Sequence, residues 1–325
     1  TKDTFCLGVA GTHGKTTTSS ILGHLLAESG VKVTAFLGGI AENYNSNLIL
    51  KGNEITVVEA DEFDRSFLQL SPDVACITST DADHLDIYGE KEALQDSFIE
   101  FTKCIKPNGK LFVQEDIQLD GITYGFKKTS DYHIKNMRIQ NGAYVFEIVT
   151  PSKIIEDVQF YIPGRHNLLN GLVAFAMADI IGTPTDRLAK ALGTFAGVKR
   201  RFSYQIKTED FVFIDDYAHH PTEINALHQA VREMYPGKKV TAIFQPHLFS
   251  RTRDFANEFA ESLAQFDEII LLEIYPAREK PIEGISSSWL LDKIKNDQKQ
   301  LIAKDDLVNY VTTIQTDVLL TVGAG

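Results

Sequence analysis

The 325-residue chain carries 32 Lys and Arg against 44 Asp and Glu, a net charge of -12, which argues against nucleic acid as a main partner because phosphate backbones are gripped by clustered basic side chains. Hydrophobic residues at 43% and charged residues at 23% are the balance of a folded globular protein rather than a disordered or fibrous one, and the length suits about two domains of roughly 150 residues. Cys6, Cys76 and Cys104 show no CxxC or metal-ligand spacing, no apolar run reaches the ~18 residues of a membrane span, and no signal-peptide pattern opens the chain; a reduced, cytoplasmic protein with no membrane partner is expected.

In chain order, FCLGVA predicts a buried strand, and residues 15–29 follow with Ile21, Leu22, Leu25 and Leu26 at helical spacing. VKVTAFLGG, ITVVEAD and DVACITST then recur as apolar runs of strand length, with helix-like segments or loops between several of them. That is the pattern of a doubly wound parallel sheet. Between residues 131 and 161 the character changes, since DYHIKNMRI and AYVFEIV alternate around Asn141-Gly142, a hairpin signal that predicts an antiparallel excursion. Helices are predicted over about 166–181 and 185–195, with GVKRRF behind them as a hinge. A second α/β series follows: strand FVFIDDY, a helix over 221–235, strand KVTAIFQ, a helix over 253–265, strand EIILLEIY and a last strand DVLLTVGAG. The expected architecture is α/β, with a P-loop, doubly wound, mostly parallel sheet domain over 1–197 and a smaller Rossmann-like α/β domain over 198–325.

Between the first strand and helix lies GVAGTHGKTTTS. A loop that opens a helix leaves backbone N–H groups unpaired where the macrodipole favours an anion. Gly11 and Gly14 let the backbone approach a phosphate, Lys15 can reach the outer phosphates, and the Thr16 hydroxyl can ligate Mg²⁺. Thr12, His13 and Thr17 complete the candidate nucleotide loop. The strict P-loop pattern requires glycine at position 9, where this chain has Val9, so the loop is a variant. Acidic clusters EADEFD and DADHLD fall at the C-terminal ends of predicted strands, the side on which open α/β sheets bind ligands. Glu59 is the candidate carboxylate for Mg²⁺ and His84 a candidate second ligand, although imidazole is an unusual partner for a hard ion; Asp61, Asp81 and Asp83 fit turn caps equally well.

Taken together, GTHGKTTT, EADEFDRSF, DADHLDIYG, PGRHNLLNGLVA, GVKRRF, DDYAHHPTEI and QPHLFSRTRDF form one ordered series that resembles the Mur ligase family over nearly the whole chain. The resemblance implies a cytoplasmic enzyme of peptidoglycan precursor synthesis that uses ATP and Mg²⁺ to phosphorylate a carboxylate and lets an amine displace phosphate from the acyl phosphate. It assigns Lys15, His84, Arg201 and His220 to catalysis, and Thr16, Glu59 and His84 to the metal. His166, Asn167 and Asn170 resemble the family's adenine-contacting helix start, for which helix capping is an equal reading. Arg200 and Asp216 resemble residues near the nucleotide; a solvated basic turn is the other reading of Arg200 and Arg201. Tyr217, His219, His247 and Arg251 resemble residues facing the incoming amino acid, the guanidinium being suited to its carboxylate. Leu248 stands where several family members carry a basic residue.

YPAREKPIEG resembles a segment of the alanine-adding branch and implies UDP-N-acetylmuramate and L-alanine as the small-molecule substrates. Members of the family carry a nucleotide-sugar domain before the GTHGKTT strand, so the chain is expected to be a fragment holding the ATP-binding and amino-acid-binding domains. Two alternatives stay open: a ligase attaching a murein tripeptide to the same sugar nucleotide and, from another class, a P-loop ATP-binding switch with no need of His219, His220, His247 or Arg251.

Overall fold

A computed structural model of the chain describes residues 4–63, 65–81 and 91–325. It divides into two compact units, Thr1–Lys199 and Arg200–Gly325.

In the first unit β1 (Phe5–Ala10), β2 (Val33–Ala41), β3 (Ser46–Leu50), β4 (Ile55–Glu59), β5 (Val74–Ile77), β6 (Lys110–Gln114), β7 (Ile122–Gly125), β8 (Tyr132–Gln140), β9 (Ala143–Val149) and β10 (Ile154–Phe160) build one sheet. Its order is β10-β9-β8-β7-β6-β5-β1-β4-β2-β3. The middle is parallel and the two ends are antiparallel, where β3 joins β2 and where β8, β9 and β10 pair. The helices are α1 (Lys15–Glu28), α2 (Lys91–Thr102), α3 (Arg165–Ile180) and α4 (Thr185–Leu192).

Five consecutive residues of β1, Cys6 to Ala10, are buried, as expected of a parallel strand covered on both faces. Val9, the departure from the strict loop pattern, lies inside this strand and is fully buried. β1 is flanked by β4 and β5, with Val9 opposite both Glu59 and Cys76. The chain winds from β1 to one side and later returns to the other, so the loops leaving β1, β4 and β5 share one sheet edge at the point where winding reverses. Behind that edge α3 is buried at Asn167, Leu168 and every position from Asn170 to Ala178, which explains a sequence with no polar stripe.

The Asn141-Gly142 turn has φ of 53° and 74°, the left-handed pair of a tight hairpin, and the antiparallel excursion forms as the alternation predicts. The predicted helix over 185–195 stops at Leu192, where Gly193 takes the cap. β3 escaped the sequence reading because it is an edge strand with Ile49 as its one buried residue.

In the second unit β11 (Ser203–Lys207), β12 (Val212–Asp216), β13 (Val240–Phe244), β14 (Glu268–Leu271), β15 (Lys299–Leu301) and β16 (Val318–Val322) take the order β11-β12-β16-β13-β14-β15. They carry α5 (Pro221–Met234), α6 (Phe249–Asp254), α7 (Ala256–Leu263), α8 (Ser287–Lys293) and α9 (Leu307–Val311). Ile214, Val240, Phe244 and Leu320 of the sheet share a core with Ile224, Val231, Phe259 and Leu263 of the helices. The single helix predicted over 253–265 is two, because Phe255 leaves the helical region at φ -113° and sets its ring edge-on to His220, 4.7 Å between centroids.

Candidate active site

In the first unit the loop after β1 rests on the strand exit of β5. Thr12 N–H donates to the Ser79 carbonyl at 3.1 Å, His13 N–H to Ser79 Oγ at 3.0 Å, and Thr78 Oγ1 to the His13 carbonyl at 2.5 Å. Gly14 starts α1 at φ 85°, and no side chain among the described residues caps that helix end. The first-turn N–H groups therefore remain available to an anion. A Cβ on Gly11 would meet Thr78 Oγ1 at 2.2 Å, and one on Gly14 would meet Asn170 Oδ1 at 2.6 Å. Asn170 of α3 is thus brought onto the loop itself. Asn167 donates to the Pro163 carbonyl at 2.7 Å and accepts from Asn170 at 3.3 Å, the bonds of a helix start, while His166 beside them is exposed.

Lys15 Nζ donates to the Gly11 carbonyl and to both carboxylate oxygens of Glu62, each at 2.8 Å, and lies 3.8 Å from Asp61 Oδ1. Glu62 is fully buried; burial pushes its carboxyl above the usual range, with Lys15 opposing. Sequence reasoning missed Glu62, Thr78 and Ser79. EADEFD offers several acids in a loop, where no periodicity says which one turns towards the lysine.

Glu59, at the end of β4, accepts from Thr16 Oγ1 at 3.1 Å, Ser19 Oγ at 3.0 Å and Gly38 N–H at 2.5 Å. Two neighbouring ligands of an octahedral Mg²⁺ with ~2.1 Å bonds sit about 2.9 Å apart, so the Thr16 hydroxyl and Glu59 carboxylate fit such an ion in both spacing and oxygen chemistry. Among the described residues no group of three or more His, Cys, Asp or Glu is arranged to hold a metal, and His84 and Asp83 lie outside them. His13 faces Asp81 at 3.7 Å.

In the second unit the exit of β12 is bound tightly to the segment before β11. Both oxygens of Asp216 accept backbone N–H groups, from Phe202 at 2.7 Å and Ala218 at 2.8 Å, and burial raises its carboxyl to about 6. Arg200 donates to Asp215 at 3.3 Å and to the Gly323 and Gly325 carbonyls at 2.7 and 3.2 Å. Arg200 and Arg201 stand over the Tyr217 ring at 5.2 and 5.0 Å, and Arg201 lies 3.7 Å from Glu223. His220 accepts from Thr222 N–H at 3.3 Å as the N-cap of α5.

His219 N–H donates to Glu223 at 2.9 Å, and its ring contacts Tyr217 at 5.0 Å and His247 at 6.2 Å. His247 stacks on Tyr275 at 5.8 Å, and its pKa is lowered to about 4 by burial, then by Arg251 and His219. It is a neutral imidazole near pH 7. Arg200, Phe202 and Leu248 hold positive φ of 61°, 52° and 70°, a left-handed conformation that costs side-chain-bearing residues strain.

The chain matches the Mur ligase middle domain over residues 9–178 and the Mur ligase, glutamate ligase domain over residues 200–325. It belongs to the Mur ligase family. Mur ligases are ATP-dependent enzymes, which accounts for the phosphate loop. The UDP-N-acetylmuramate–L-alanine ligases of Flavobacterium johnsoniae and Flavobacterium psychrophilum are 61% and 63% identical to this Mur ligase over 325 residues, all of this chain and 72% of theirs. The solved UDP-N-acetylmuramate-alanine ligase of Thermotoga maritima superposes with a TM-score of 0.81 at 28% identity, covering 100% of this chain and 73% of that one. A murein peptide ligase from Psychrobacter arcticus shares the fold at TM-score 0.68 and 21% identity, over 100% of this chain and 75% of its own. Among the described residues no helix is long and apolar enough to cross a membrane.

Proposed function

We infer that this Mur ligase joins L-alanine to the carboxylate of UDP-N-acetylmuramate through an acyl phosphate, with ATP as phosphoryl donor, in cytoplasmic peptidoglycan precursor synthesis. The observation that carries the reading is 61% identity, over all 325 residues, with a ligase of that name.

In the first unit the uncapped start of α1 and Lys15 would meet the ATP phosphates, and Thr16 and Glu59, with His84, would hold Mg²⁺. The bound ion would withdraw charge from the phosphate oxygens as the γ-phosphoryl group leaves. A carboxylate approaching phosphate brings anion to anion, so the positive charge on Lys15 lowers that barrier. Asn167 and Asn170 hold the start of α3 against the loop, and His166 is the exposed group beside them for the adenine. In the second unit Arg251 offers a planar fork to the alanine carboxylate, and neutral His247 meets the amino acid without a competing charge. Glu223 orients His219; Asp216 and the His220 cap hold the loop that carries Tyr217 and His219, and Arg200 and Arg201 pack on Tyr217.

The test is ADP release and product mass for the full-length enzyme with UDP-N-acetylmuramate and L-alanine, glycine, L-serine or a murein tripeptide. Product chiefly with L-alanine is expected. A tripeptide product would move the chain to the murein peptide ligases, and nucleotide binding without any product would leave a P-loop switch.

A further inference from the structure

We propose that Glu62 is a built-in competitor for the phosphate-binding lysine, which nucleotide must displace before Lys15 can grip it. An ammonium has three N–H donors. Around Lys15 three acceptor oxygens lie at 2.8 Å: the Gly11 carbonyl and the two oxygens of the Glu62 carboxylate. The lysine is therefore folded back onto its own loop and paired with Glu62, so a phosphate oxygen has to compete with that carboxylate for it.

The restraint is strong because of where it sits. The Glu62 side chain is 0% exposed and that of Lys15 14%, so little water screens the pair, whereas Asp61 at 3.8 Å is 57% exposed and contributes weakly. To meet phosphate, Lys15 must turn from or share its pairing with a buried carboxylate, and that carboxylate then faces an incoming anion. Glu62 lowers nucleotide affinity while keeping the cation parked at the loop before nucleotide arrives. No sequence rule picks out this residue, since it acts through Lys15 rather than on the substrate.

The inference rests on the reading that the loop holds ATP, and calorimetric titration of the full-length enzyme with Mg-ATP separates the two. Glu62→Gln removes the charge and leaves one acceptor, which weakens the hold on Lys15; the Kd for Mg-ATP should fall about tenfold. Glu62→Asp keeps the charge on an arm too short to hold both bonds, and its Kd should lie between wild type and Glu62→Gln. AMP, which lacks the outer phosphates, should bind all three alike. In a Lys15→Ala background Glu62→Gln should lose its Lys15-dependent gain. A residue that merely supports the fold would weaken binding on substitution. An unchanged or raised Kd in Glu62→Gln, judged folded by near-ultraviolet circular dichroism, overturns the proposal. Should that variant not fold, Glu62→Asp decides: tighter binding supports the proposal, and equal or weaker binding overturns it. Absence of Mg-ATP binding by the wild type would instead overturn the assignment of the loop.

Discussion

Lys15 meets phosphate as a point charge, whereas Arg251 presents a planar fork, and the two should fail differently when replaced. Lys15→Ala should cut turnover by well over tenfold, since more than ~1.4 kcal/mol of barrier lowering is asked of the lysine; steady-state ADP release within tenfold of wild type would end that role. A lysine on a surface loop would be removed without harm to the fold, but Glu62 changes that expectation. Lys15→Ala removes the ammonium paired with a fully buried carboxylate, for which a loss of about 3 kcal/mol is typical, and Lys15→Ala/Glu62→Gln should recover stability in urea while turnover stays lost. Arg251→Lys should raise the KM for L-alanine roughly tenfold by losing the second of two parallel bonds, with the KM for ATP unmoved; an unmoved alanine KM would transfer the role to His247. The low pKa of His247, about 4, means that below its ordinary value the unfolded chain takes up a proton that the folded chain refuses. Its contribution to stability is present above about pH 6.5 and is lost as pH falls towards 4. Urea midpoints of wild type and His247→Gln should therefore change differently between pH 7 and 4, with the wild type losing more, and parallel curves would count against the buried neutral imidazole.

At the scale of elements, the phosphate loop is a product of two strands and two helices rather than of its own sequence. The β1 exit, the Thr78 and Ser79 contacts after β5 and the Asn170 side chain from α3 meet at Gly11 to Gly14. Gly14→Ala puts a Cβ 2.6 Å from Asn170 Oδ1 at a φ of 85°, so both stability and Mg-ATP affinity should fall. Asn170→Ala added to it should restore part of the stability by removing the clash but not the backbone strain, a partition that thermal unfolding of the single and double variants reads directly. The strand, loop and helix were legible beforehand because their signals are local: an apolar run, two glycines, a lysine and helical spacing. The Asn141-Gly142 hairpin was legible for the same reason. Glu62 was not, because choosing among the acids of EADEFD requires knowing where β4 ends relative to Lys15. Nor was the break at Phe255, since the ring it packs against, His220, lies about 35 positions earlier in the chain.

Over the whole molecule, the two sheets carry separate cores. The hydrophobic cluster running from Phe202 to Val322 draws every member from the second unit, and Arg200 bonds the Gly323 and Gly325 carbonyls within that unit. Asp215 joins the same knot, accepting from Arg200 and from Thr321 Oγ1 at 2.7 Å, while β16 sits between β12 and β13 and so stitches the last strand into the middle of the sheet. A piece with a core of its own and a sheet whose strands pair among themselves should fold without its neighbour. Residues 200–325 expressed alone should unfold in urea in one cooperative transition, with fluorescence and far-ultraviolet circular dichroism coincident. Arg200→Ala should lower the stability of that piece by roughly 1–2 kcal/mol, the value of losing hydrogen bonds made by a charged donor that is partly exposed. Non-coincident probes, or an aggregated product at every pH tested, would mean that the second core depends on the first.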